Sequence, residues 1–254
     1  MRLIPHPLSR PIGALVLAVV AGAALGGCGA SSSADDRPGV RVLWTGDSIA
    51  GAEAPAVQAA LEAAGVTVEN ATSDGGGNLV PGDHPVTTKA AAEAWKALKE
   101  RIASFRPTVI AYQITTYDWG TARQQLAAYR KLAETAEDAG ARLVLVSAPP
   151  FKIDDFYRPY AAAIKSAPAM AAQAAAGPGA RFLDASELWG TDYAADKAQR
   201  SKDGIHSCQQ GSAAFATWFA KRLGELAGFT PAPPAAWATG PWTDDERFSK
   251  LGCS

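Results

Sequence analysis

Val40-Arg41-Val42-Leu43-Trp44-Thr45-Gly46-Asp47-Ser48-Ile49 joins an apolar run to a glycine turn. Six residues of extended type, Val40 to Thr45, stopped by glycine read as a buried strand. The alanine-rich stretch beyond the turn, Ala54 to Ala64, is closed by Gly65 and reads as a helix. Strand, turn and helix then recur down the chain. Val66 to Glu69 is a second strand, followed by a glycine-rich loop through Asp83. Thr88 to Phe105 is a helix with Ala92, Trp95, Leu98 and Ile102 near one side, and Pro107 introduces a third strand, Thr108 to Ile114. Thr121 to Ala139 is the next helix, and Arg142 to Val146 a fourth strand. A helix over Tyr157 to Ala175, expected to break near Pro168, leads to a short fifth strand, Arg181 to Asp184. Gly211 to Leu226 is the last helix. Such alternation implies right-handed crossovers and a mostly parallel sheet covered on both faces. The expected fold is one three-layer α/β/α sandwich, flavodoxin-like, with a five-stranded sheet.

Composition removes several classes of function. With 24 Lys and Arg against 25 Asp and Glu, the 254-residue chain lacks the basic excess that nucleic-acid binding draws on. With 48% hydrophobic residues it is too apolar for a disordered chain. No His-x-x-x-His or similar ligand spacing occurs, so neither a metal nor an organic cofactor is expected.

The N-terminus reads as an address. Arg2 and Arg10 precede a short apolar run ending in Leu25-Gly26-Gly27-Cys28, too short for a permanent span and followed by small residues. The ending resembles a bacterial lipobox, which implies a signal peptide over residues 1–27 and lipid on Cys28. Residues 28–39 then form a tether, 40–228 the domain and 229–254 a Pro- and Ala-rich strap holding Trp237 and Trp242. The expected location is extracytoplasmic, anchored to the membrane. There, the two remaining cysteines, Cys208 and Cys253, are expected to pair.

Ligands of such sheets sit at the carboxyl ends of the strands. Ser48 stands at the first such end, at the start of a helix; alone it is a poor nucleophile and needs a base. The chain beyond Cys28 has two histidines, His84 and His206. His206 closes Asp203-Gly204-Ile205-His206, where a carboxylate three residues ahead can hold the imidazole tautomer. His84, in Gly82-Asp83-His84-Pro85, reads as a surface loop residue. A GDS turn after the first strand together with Asp-x-x-His before the last helix resembles the SGNH/GDSL hydrolases, over about Val40 to Leu226.

The resemblance implies Ser48 as nucleophile, His206 as general base and Asp203 as its orienting partner. It further implies an oxyanion site built from the Ser48 N–H and from a glycine after the second strand, taken as Gly75 in Asn70-Ala71-Thr72-Ser73-Asp74-Gly75. The family's third block carries an asparagine donor. Here the chain reads Gln113-Ile114-Thr115-Thr116-Tyr117-Asp118, and Thr116 falls in its place as the substitute donor, with Gln113 the lesser choice. Trp119 beside that loop is the candidate substrate contact, whereas Trp44 and Tyr112 lie in strands and read as core. The expected activity is hydrolysis of an O-acyl ester, with an acylated envelope glycan as the substrate expected from location. An O-acyltransferase using the same acyl-enzyme, and a weakly active envelope-binding module, are the alternatives.

Overall fold

The computed structural model describes residues 39–253. The expected signal peptide, the Cys28 lipid site and nearly all of the tether lie outside the described residues. Five strands alternate with helices: β1 (Arg41–Thr45), α1 (Ser48–Glu62), β2 (Thr67–Asn70), α2 (Pro85–Phe105), β3 (Val109–Gln113), α3 (Ala122–Asp138), β4 (Arg142–Val146), α4 (Ala161–Ala174), β5 (Ala180–Leu183), α5 (Ser186–Trp189), α6 (Gln209–Ala227) and α7 (Glu246–Lys250). The sheet order is β2-β1-β3-β4-β5, and every pairing is parallel. This is the three-layer α/β/α architecture that the sequence pattern implies. Successive elements leave β1 toward β2 and then return to β3 on its other side, so the order reverses between β1 and β3. Ligands of open parallel sheets bind at that reversal.

Side chains alternate across the strands, so each strand supplies both faces. Val42, Trp44, Ala111, Val144 and Val146 pack against α1 and α6, chiefly on Ala54, Val57, Leu61, Phe215 and Phe219. Leu43, Ile110, Tyr112, Leu143 and Leu145 pack on the other side against Leu98, Tyr129, Leu132, Ala167 and Ala171 of α2, α3 and α4. Trp44 and Tyr112 are fully buried, as expected of core residues.

α1 and α4 differ from expectation around their prolines. α1 starts at Ser48, six residues before the apolar periodicity begins, because the Asp47 side chain caps it by accepting from the Ile49 N–H at 3.0 Å. Pro55 lies inside this helix and cannot donate to the Gly51 carbonyl one turn back. Arg247 Nη1 of α7 donates to that carbonyl instead. Pro168 likewise sits inside α4 without breaking it, contrary to expectation.

The C-terminal strap packs on the α1–α6 face. Trp237 joins the core there, the Trp242 indole N–H donates to the Trp237 carbonyl at 2.7 Å, and Phe248 is buried. A disulfide joins Cys208, at the start of α6, to Cys253.

Candidate active site

Ser48 sits at the carboxyl end of β1, where the chain must turn into α1 within two residues. Gly46 makes the turn. A Cβ there would stand 2.6 Å from the Ala50 Cβ and 3.2 Å from the Gln113 carbonyl oxygen, so no larger residue fits. Trp44 ties strand to helix through its indole N–H, which donates to the Ala50 carbonyl at 3.0 Å.

Residues 200–207 approach from the other side as a tight hairpin. Arg200 and Ser207 pair across it, and the Ser201 N–H donates to the His206 carbonyl at 2.7 Å. Asp203 occupies the tip. Its Oδ1 accepts from the Ser201 hydroxyl at 2.7 Å and from the N–H groups of Ile205 and His206 at 2.7 and 3.0 Å. Its Oδ2 meets His206 Nδ1 at 2.6 Å, and His206 Nε2 meets Ser48 Oγ at 2.9 Å. Burial works against the Asp203 charge, but these hydrogen bonds, with His206 first, outweigh it and lower the carboxyl to about 2. An ionised Asp203 fixes the Nδ1–H tautomer and leaves Nε2 to accept a proton from the serine. The three residues singled out in the sequence are therefore brought together in one hydrogen-bonded line.

Two further residues expected at the oxyanion site, Gly75 and Thr116, stand in distinct surroundings. Gly75 is exposed, and a Cβ on it would meet nothing within 4 Å. Gly77 is the glycine pressed on the serine turn: its Cβ would lie 2.4 Å from the Gly46 carbonyl oxygen, and its φ is +78°. That same oxygen accepts from the Ser73 N–H at 3.0 Å, which fastens the glycine loop to the turn. Three glycines in a row hide this register, since only the path of the loop decides which one meets Gly46.

Thr116 turns its hydroxyl to Asp47. Its N–H and hydroxyl both donate to Asp47 Oδ2, at 2.7 and 2.8 Å, so its one hydroxyl proton is already committed. The contact joins the β3 loop to the cap of α1. Burial raises the Asp47 carboxyl despite these bonds. Gln113 is also committed, donating to Glu53 Oε2 at 2.7 Å. Asp118, fully buried, anchors the same loop. It accepts from the Tyr112 and Tyr129 hydroxyls and from the N–H of Thr115, and burial raises it to about 6 against those bonds.

Trp119 is buried rather than offered to substrate. Tyr160 stacks on it at 3.6 Å between centroids, and its indole N–H donates to the Thr116 carbonyl. It belongs to an apolar cluster with Ile49, Phe151 and Tyr157, on which Tyr117 and Ile205 pack. Phe156, 55% exposed, packs on Trp119 and Tyr117 and is the aromatic that faces outward. Sequence reasoning missed it because an exposed phenylalanine reads no differently from a core one. His84 is exposed, as expected, and caps α2 by accepting from the Val86 N–H.

The family model for the SGNH domain, described as fused to AT3 domains, matches residues 19–220. No curated protein sequence matches the chain. Among solved structures, an acetylxylan esterase from Geobacillus stearothermophilus superposes with a TM-score of 0.52 at 16% identity, covering 74% of this chain and 96% of that one. A GDSL-like lipase from Bacteroides thetaiotaomicron superposes with a TM-score of 0.55 at 15% identity, covering 74% of this chain and 88% of that one. These likenesses show a shared fold. With the family model spanning most of its length and serine, histidine and aspartate aligned at the sheet's reversal point, the chain belongs to the SGNH family of serine hydrolases.

Proposed function

We propose that the chain is an extracytoplasmic serine esterase that cleaves an O-acyl ester, held to the membrane by lipid on Cys28 after removal of residues 1–27. The observation that carries the reading is the line Ser48 Oγ, His206 Nε2, His206 Nδ1, Asp203 Oδ2. As Ser48 Oγ bonds to the ester carbonyl carbon, its proton passes to His206 Nε2. Asp203 stabilises the resulting imidazolium. The oxyanion lies against the Ser48 N–H in the first turn of α1, with a second donor drawn from the glycine loop at Gly77. The imidazolium then gives its proton to the departing alkoxide oxygen. Water, deprotonated by His206, attacks the acyl-enzyme and restores Ser48.

An acylated envelope glycan is the proposed substrate. The N-terminal address supports it, as does the fold shared with an acetylxylan esterase from Geobacillus stearothermophilus. Exposed Phe156 is the proposed contact for a sugar ring, in place of buried Trp119.

The test uses the soluble domain without Cys28, treated with a fluorophosphonate and read by intact mass and peptide mapping. One adduct on Ser48, lost in His206→Ala, is expected. Absence of any adduct under conditions that label a control esterase would refute the reading. Product analysis with and without acceptor glycans separates hydrolysis from acyl transfer.

A further inference from the structure

Behind the Asp203–His206 hairpin lies a buried polar group that the proposed reaction does not use. Arg200 stands at the hairpin's base and turns inward. Its Nε donates to the Ala198 carbonyl at 2.8 Å, and its Nη1 to the Ile205 carbonyl at 3.1 Å. The Ile205 carbonyl belongs to the peptide that leads into His206. The guanidinium lies over the ring of fully buried Trp189, 4.6 Å from its centroid. Glu53, also fully buried, faces it from α1, the helix that begins with Ser48. Gln113, the last residue of β3, donates to Glu53. Arg200 Nη2, Glu53 Oε1 and Ser207 Oγ are buried without hydrogen-bond partners.

Burying an acid and a guanidinium is costly, and apolar residues of similar volume would stabilise a fold at least as well. Glu53 ties the serine helix to the end of β3 through Gln113, and Arg200 braces the acid–base hairpin beside it, so the two groups stand where the three segments that assemble the site meet. A planar fork can grip a carbonyl in a fixed direction while stacked on an indole; an ammonium cannot do both. We propose that Arg200, backed by Glu53 and Trp189, is a positioning residue that orients His206 toward Ser48 through the Ile205 carbonyl. The proposal rests on the esterase reading for its kinetic consequence, though not for its geometric one.

Arg200→Lys keeps the charge opposite Glu53 and removes the fork; Trp189→Phe keeps an apolar ring beneath Arg200 and weakens the stack. Both are compared with the wild type by thermal midpoint, by kcat and KM on an activated acetyl ester, and by the low-field proton resonance of the His206 Nδ1–H. Arg200→Lys is expected to lower kcat on the order of 10²-fold, as misplacement of about 1 Å does, while KM stays within about twofold. The His206 resonance is expected to shift or broaden in folded protein. Trp189→Phe should move the same two readouts in the same direction by less, and it carries the test if Arg200→Lys does not fold. An unmoved resonance with kcat within about threefold of wild type overturns the proposal, as does a fall in midpoint alone. If the wild type cleaves no ester, the esterase reading falls, and the resonance by itself still decides whether Arg200 positions His206.

Discussion

Gly77→Ala and Gly75→Ala form a matched pair that separates a glycine needed at the serine turn from one needed only by its own loop. Both residues have left-handed φ, +78° and +77°, so alanine strains each by about 1–2 kcal/mol. Only at Gly77 does the new methyl collide, 2.4 Å from the Gly46 carbonyl oxygen; at Gly75 it meets nothing. Clearing that collision requires the loop or the turn to move by about 1 Å, an overpacking cost of about 1–3 kcal/mol. Gly77→Ala should therefore lose roughly 2–5 kcal/mol, and Gly75→Ala roughly 1–2. In a domain of this size each kcal/mol lowers the thermal midpoint by about 2–4 °C, so the two variants are readily resolved. The displaced atoms belong to the residue two before Ser48, so the rate of fluorophosphonate labelling should fall on the order of 10²-fold in Gly77→Ala. In Gly75→Ala it should stay within about threefold of wild type. Equal losses in the two variants, or a larger rate loss at Gly75, would refute the placement of Gly77 against the turn.

Three further outcomes are expected. Thr116→Val removes the hydroxyl bond to Asp47 and should cost about 1.5–3 kcal/mol in denaturant unfolding. Its kcat should fall well short of the roughly 10²–10³ that a lost oxyanion donor costs; a loss of that size with stability intact would restore Thr116 to the oxyanion site. The pH dependence of stability has two opposed parts. Asp203, lowered to about 2, contributes stability that is present above its ordinary value of 3.8 and lost as pH falls through about 2. Glu53, raised to about 8 by burial against the pull of Arg200, contributes stability present below its ordinary 4.5 and lost as pH rises through about 8. Thermal midpoints from pH 5 to 9 should thus fall more steeply in wild type than in Glu53→Gln; parallel curves would contradict the burial of that carboxyl. Reduction, or Cys208→Ser with Cys253→Ser, opens a 45-residue loop, worth about 4 kcal/mol in the chain-entropy model, and should lower the midpoint accordingly.

Much of this protein was legible along the chain. Short apolar strands alternating with amphipathic helices, several closed by glycine, determine a parallel sheet whatever the details of packing, because periodicity and turn chemistry are local. The serine, histidine and aspartate were legible for a related reason. Ser48 ends the first strand, Asp203 and His206 precede the last helix, and the chain beyond Cys28 offers only His84 as another imidazole. The cysteine pair followed from counting.

Other features depend on which surfaces meet in space. Three adjacent glycines are equivalent as sequence; only the path of the loop over the Gly46 carbonyl singles out Gly77. Thr116 has the right chemistry for an oxyanion donor, yet Asp47, remote in sequence, takes its proton first. Trp119 lies on the right loop, but Tyr160 covers its ring and leaves Phe156 facing outward. Glu53 on an alanine-rich helix and Arg200 in a polar loop look like ordinary surface charges until the hairpin folds onto α1. Local propensity and residue chemistry therefore determined the sheet and the order of reacting groups. Long-range packing decided which polar atoms were already satisfied, because a hydroxyl, an amide or a ring face can serve only the partner that reaches it.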